Sequence, residues 1–247
     1  MSEDPFWRMM ASTEHDPQGL NLYAYCVNNP IRYRDPSGLT IVLSGDKDDA
    51  VAQLKALNQL TNHHLKARGN ATNGWTVYIY KEATEITLTA GNTLIENMIK
   101  HDNTVTISNW NEPNGFASID GKQILFNPNY QGTGGAHIVM AHELIHIDRI
   151  WREQTLEGNG THEYFISQRT NRHGQTTFKT GTQTTLREEL ATVGLGGFDF
   201  FVNGTFVQPQ QFITAPGQSA PPSFLQTGNI TENNIRAEHG IPLRTKY

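Results

Sequence analysis

The chain has 247 residues with 24 acidic and 19 basic side chains, a net charge of -5, which argues against the basic stripe that nucleic-acid binders present. A mean hydropathy of -0.51 and the lack of any apolar run approaching about 18 residues exclude a membrane-spanning helix. Charged residues make up only 17%, and the polarity rests instead on 27 Thr, 21 Asn and 14 Gln, so charge-driven disorder is excluded and the single Cys26 leaves no intrachain disulfide framework.

Residues 1–39 differ in character from the rest of the chain. Turn formers crowd Asp16-Pro17, Asn28-Asn29-Pro30 and Asp35-Pro36-Ser37-Gly38, with short aromatic, strand-like pieces at 22–27 and 31–34 between them. Such pieces cannot bury themselves, so they read as the end of a larger β structure. The opening residues Met1 to Trp7 lack the basic and apolar regions of a secretory signal, so export would depend on a carrier.

From residue 40 the pattern becomes that of a compact α+β domain, 40–247. A strand is expected at 40–43 and a helix at about 46–65, with Val51, Leu54, Leu57 and Leu60 along one side. Strands are expected next at 75–80 and 85–89. Asn92 is placed to cap a helix carrying Leu94, Ile95, Met98 and Ile99. Strands at 104–110 and 123–126 lead to a long helix at about 134–152, and the second of these strands is the expected edge for an extended substrate. Two connections rich in Gly, Thr and Gln occupy about 158–183 and 208–229. The first precedes a helix at about 184–195, the second a short helix from about Thr231.

The long helix contains His142-Glu143-Leu144-Ile145-His146. Histidines at i and i+4 lie one turn apart on one face, so both imidazoles can reach one ion. Glu143 sits about 100° round the helix, within reach of a water on that ion. Composition alone predicts only about 0.02 occurrences of HExxH in such a chain. A third donor is needed, with His162, His173, Glu188 and Glu189 as candidates. In Leu186-Arg-Glu-Glu-Leu-Ala-Thr-Val193, Leu186, Leu190 and Val193 form the expected buried stripe. Glu189 falls beside that stripe and Glu188 nearly opposite, and an inward carboxylate is rarely tolerated unless it is paired or binds metal. This favours Glu189 as ligand, with Glu188 as an alternative or a supporting residue. Asp148 is expected to pair with Arg152 at i, i+4 rather than to orient a ligand histidine.

These residues carry two resemblances. Asn21-Leu-Tyr-Ala-Tyr, Asn29-Pro30 and Asp35-Pro36-Ser37-Gly38-Leu39 resemble the end of the Rhs/YD-repeat core. There a DPxGL-type motif (here Asp35, Pro36, Gly38 and Leu39) closes a β-cocoon and marks where a C-terminal toxin is released. That resemblance implies that residues 1–39 belong to a carrier with its secretion machinery, that 40–247 are its toxin, and that an immunity protein exists. HELIH and then Glu188-Glu-Leu-Ala-Thr-Val-Gly194 resemble the zinc site of the NleD-type effector metallopeptidases. They are also similar to the clostridial neurotoxin light chains, whose second glutamate at this place is on zinc. Glu232-Asn-Asn-Ile-Arg236 and Gly240-Ile-Pro-Leu-Arg244-Thr-Lys-Tyr247 resemble the ending of the NleD-type family. The Arg-x-x-Tyr spacing is that of the neurotoxins' transition-state pair. These resemblances imply a zincin-like α+β metallopeptidase with a mixed sheet, one zinc per chain, and a secreted or injected effector acting in the cytoplasm of a target cell.

The residue types then define an expected chemistry. Zinc on His142, His146 and Glu189 would lower the pKa of its water from about 15.7 toward 7. Glu143 would carry the proton from water to the leaving amine. Arg244 and Tyr247 are the expected oxyanion partners, with Arg236 as substitute. Two other classes compete: a nuclease payload, and a non-catalytic zinc-binding recognition domain. Residues 40–247 retain 16 of the 19 basic and 19 of the 24 acidic residues, which speaks against a nuclease, and an intact Glu143 speaks against a decayed site.

Overall fold

A computed structural model of the chain describes residues 41–112, 115–195, 201–202, 205–206, 229–244 and 246–247. The expectations for residues 1–39, including the Asp35–Leu39 motif, lie outside the described residues, as does nearly all of the 208–229 connection.

The fold is α+β around a mixed six-stranded sheet. Its strands are β1 (Ile41–Leu43), β2 (His64–Asn70), β3 (Gly74–Lys81), β4 (Val105–Asn109), β5 (Phe116–Ala117) and β6 (Gln123–Phe126), in the order β2-β3-β1-β4-β6-β5. The central strands β1, β4 and β6 run parallel, and the other pairings are antiparallel. Alternation gives the sheet its buried face: Ile41 registers with Val105, Leu43 with Ile107 and Ile107 with Ile124, and all of them are buried. Three helices cover that face, α1 (Lys47–Gln59), α2 (Thr89–Lys100) and α3 (Ala136–Trp151). Leu57, Leu94, Met98, Met140, Leu144 and Ile147 fill the space between.

Helix α1 ends at Gln59, six residues before the expected stop, because Asn58 turns the chain. Its carboxamide accepts the Leu65 N–H at 2.9 Å and donates to the Leu65 carbonyl at 3.3 Å, which starts β2 where more helix was expected. Residues 85–88 are not a strand. Asn62 accepts the N–H groups of Thr87 and Leu88, and α2 begins at Thr89. Asn92 therefore lies inside that helix, where it accepts from Thr61 and the Asn62 N–H rather than capping. The α2 N-terminus is instead held by the Glu238 carboxylate, which accepts from the N–H groups of Ala90 and Gly91.

The expected connection at 158–183 is a two-stranded antiparallel ribbon, β7 (Asn159–Thr170) and β8 (Thr176–Leu186). Strand β8 runs directly into a short helix, α4 (Arg187–Val193), which Gly194 ends in the left-handed conformation with φ 80°. Strands β9 (Phe201–Val202) and β10 (Thr205–Phe206) form a small hairpin. The last helix, α5 (Glu232–Glu238), starts at a Thr231 capping box. Strand β6 is not the edge expected for it, since Phe116 and Ala117 of β5 pair with Leu125 and Ile124.

Candidate metal centre

Gly135, with φ 76°, turns the chain into α3, a conformation that costs glycine little. The helix is apolar enough to run buried beneath the sheet, and this carries His142, Glu143 and their neighbours into the interior. His142 and His146 stand one turn apart with ring centroids 4.8 Å apart. Helix α4 brings Glu189 to them from the other side. The Nε2 atoms of the two histidines lie 3.1 Å apart, and Glu189 Oε2 lies 3.2 Å from His142 Nε2 and 3.4 Å from His146 Nε2. His142, His146 and Glu189 are thus a donor set able to hold a metal ion, with all the ligand atoms within 4.8 Å of one another.

The far sides of both rings are occupied. His142 Nδ1 lies 2.8 Å from Glu232 Oε2. His146 Nδ1 lies 3.2 Å from Thr192 Oγ1 and 3.5 Å from Glu188 Oε1. Glu188 is in turn held by Arg149 Nε at 2.7 Å, Arg149 Nη2 at 3.1 Å and the Leu156 N–H at 2.8 Å. It supports the site from behind rather than entering it, and its carboxyl sits at about 2: burial works against ionisation, but His146 and Arg149 outweigh it. Burial likewise opposes charge on His142, yet the carboxylates of Glu189 and Glu232 lift that imidazole to about 9.

Glu143 is buried at 6% exposure, and burial raises its carboxyl above the ordinary range against the pull of His142 and His146. Gly115, one residue before β5, packs on it so closely that a Cβ there would lie 2.6 Å from Glu143 Cγ and Oε1. Glu143 and His142 open on a cleft of about 670 Å3 that is also lined by Tyr130, Arg244 and Tyr247.

Pro242, Leu243, Arg244, Lys246 and Tyr247 come back to this cleft. Arg244 donates from Nη1 to Glu232 Oε2 at 3.0 Å, and its guanidinium carbon lies 4.8 Å from the Tyr247 ring centre. The Tyr247 hydroxyl is raised well above its usual range, by burial first and then by its hydrogen bond to Glu189. Arg236 has its nitrogens engaged elsewhere, Nε on Glu232 Oε1 at 2.5 Å, Nη1 on the Pro242 carbonyl at 3.1 Å and Nη2 on the Thr133 carbonyl at 3.4 Å. Asp148 pairs with Arg152 Nε at 3.1 Å, as its spacing led one to expect. His173 is exposed in the ribbon turn, and the side chain of His162 lies outside those described.

Sequence reasoning missed three contributors: Glu232, Thr192 and Gly115. Glu232 reaches His142 across 90 positions, a separation at which no local pattern signals contact. Thr192 had a signal, lying three residues after Glu189 and so on nearly the same face of α4.

Residues 84–247, about two thirds of the chain, match the family model Peptidase_M91, described as an effector protein. The match takes in α2 to α5 and leaves β1, α1, β2 and β3 before it. No curated protein and no solved structure matches the chain.

Proposed function

The chain belongs to the Peptidase_M91 family of effector proteins, and from that premise we propose that it is a zinc-dependent endopeptidase that cuts a protein of a target cell. The convergence of His142, His146 and Glu189 carries this reading. A tetrahedral zinc with donors about 2.0–2.1 Å away spaces neighbouring donors about 3.3 Å apart. The three donors here stand 3.1, 3.2 and 3.4 Å apart. With Nδ1 of His142 on Glu232 and Nδ1 of His146 on Thr192 and Glu188, both Nε2 lone pairs face one point. Two imidazoles and one carboxylate that leave a position open are a catalytic zinc set rather than a closed structural one.

Zinc held there would supply a water ionisable near neutral pH and a positive charge beside the scissile carbonyl. The remaining steps fall to the chain's own groups. Glu143, buried and with a raised carboxyl, takes a proton during attack and returns it to the leaving amine. Arg244 and Tyr247, on the same cleft, offer a cation and a phenol to the oxyanion of the tetrahedral intermediate. Arg236 is the weaker candidate because Glu232 and two carbonyls already occupy it.

The NleD-type resemblance agrees with the family match, and we extend it to the neurotoxin light chains through the Glu188-Glu189 pair and the Arg244-x-x-Tyr247 spacing. We also assign residues 1–39 to an Rhs carrier and 40–247 to the toxin, secreted or injected and acting in target-cell cytoplasm, with an immunity partner. The position of β1 supports that boundary, because Ile41–Leu43 lies between β3 and β4 in the sheet. The peptidase family gives no support to a nuclease. Elemental analysis tests the reading: wild type and Glu143→Gln should each hold one zinc per chain, and His142→Ala and His146→Ala none. Full zinc content in His142→Ala would refute the assigned centre.

A further inference from the structure

Among the described residues, three carboxamide side chains grip main chain in the same way. Asn58 does so on Leu65, where it turns α1 into β2. Asn233, at the start of α5, accepts the Arg244 N–H at 2.8 Å and donates to the Arg244 carbonyl at 3.0 Å. Gln183, on β8, accepts the Tyr247 N–H at 2.8 Å and donates to the Tyr247 main-chain oxygen. In each case one side chain makes the pair of bonds that a neighbouring strand makes to a residue in an antiparallel sheet. The amide orientation is fixed, since only one arrangement of its oxygen and nitrogen satisfies both main-chain groups.

Two of these grips fall on the residues assigned to the oxyanion. Residues 241–244 and 246–247 join no helix or strand, so regular structure does not set where Arg244 and Tyr247 sit. We propose that Gln183 and Asn233 are positioning residues that hold the main chain of Tyr247 and Arg244 so that both side chains face the metal centre. This rests on the zinc-peptidase reading above. Gln183 lies on the strand that runs into α4 and Glu189, and the Tyr247 ring centre lies 6.4 Å from that of His142. The grip thus ties the Tyr247 main chain to the piece of chain that carries Glu189. Fixing a reacting group before the substrate arrives removes an entropic cost from the chemical step.

Gln183 is half-buried, so Gln183→Leu keeps its bulk and removes both bonds with little threat to the fold. The protein is labelled with 3-fluorotyrosine, and the Tyr247 fluorine line is identified by its loss in Tyr247→Phe. In Gln183→Leu that line should move toward the position of free fluorotyrosine while zinc content is unchanged. On a peptide spanning a cleavage site mapped in target-cell lysate, kcat should fall at least about 10-fold with KM nearly constant. Gln183→Leu should cost almost nothing further in a Tyr247→Phe background. Gln183→Glu, which retains the acceptor but not the donor, should fall between. An unmoved fluorine line, or a wild-type kcat in Gln183→Leu, overturns the proposal. Cleavage by Glu143→Gln at the wild-type rate would instead overturn the peptidase reading, and the fluorine line would still decide the grip.

Discussion

Glu232 joins His142 to the Arg244 side of the cleft: its Oε2 lies 2.8 Å from His142 Nδ1 and accepts from Arg244 Nη1 at 3.0 Å. Its Oε1 takes Arg236 Nε at 2.5 Å. The carboxyl is 1% exposed and sits at about 2, because His142, then Arg244 and Arg236, override the burial that works against its charge. One buried carboxylate therefore orients a candidate metal donor and anchors two cations, so its removal should be felt in both metal affinity and stability.

Glu232→Gln keeps the shape but removes the charge. Zinc affinity should fall by about 10–100-fold, the usual loss when the group behind a ligand histidine goes. Glu232→Ala should in addition destabilise the fold by about 3–5 kcal/mol, since it strands buried Arg236 without its partner. Zinc titration and then chemical denaturation check both.

Glu189 and Glu188 should separate cleanly. Glu189→Ala removes a donor and should abolish zinc binding at micromolar metal. Glu188→Ala releases Arg149 and the Leu156 N–H and should weaken zinc only modestly while lowering the melting temperature. Competition with a chelator of known affinity ranks the two variants.

The two histidines are legible in the sequence because i, i+4 spacing has a direct spatial meaning on a helix. Glu189 is legible through a stripe that holds only in part. Leu190 and Val193 are buried, but Leu186 is 53% exposed because it ends β8 rather than opening the helix. The β7–β8 ribbon reads as a connection because its Thr- and Gln-rich strands show no apolar alternation. Asn58 is equally silent, since its grip on Leu65 ends α1 by side-chain geometry that propensity does not encode. The grip of Gln183 joins residues 64 positions apart, and that of Asn233 spans 11 positions across the end of α5; neither leaves a local pattern.

Gly115 is expected to tolerate no side chain. Gly115→Ala puts a Cβ against Glu143 Cγ and Oε1 at 2.6 Å, and Glu143 must move. Turnover should fall by about 10²–10⁴, the contribution of a positioned acid or base, with zinc content and melting temperature nearly unchanged. A rate equal to wild type would mean that the Glu143 position is not critical.

Fragment boundaries test the domain assignment. A fragment beginning at Thr40 should fold cooperatively, since β1 is its first strand. One beginning at residue 84, where the family match starts, loses β1, α1, β2 and β3 and with them buried Ile41, Leu43 and Leu57, and should not fold. Calorimetric melting of both fragments distinguishes them.

The most direct measurement maps new protein N-termini in target-cell lysate treated with zinc-loaded wild type or with zinc-loaded Glu143→Gln. The wild type should create a small set of new N-termini that disappears when the metal is chelated and returns on adding zinc. Glu143→Gln should create none while holding the same zinc. New N-termini in equal number from both proteins, or none from a wild type shown to hold one zinc per chain, would contradict the assignment of Glu143 and the metal centre to peptide hydrolysis.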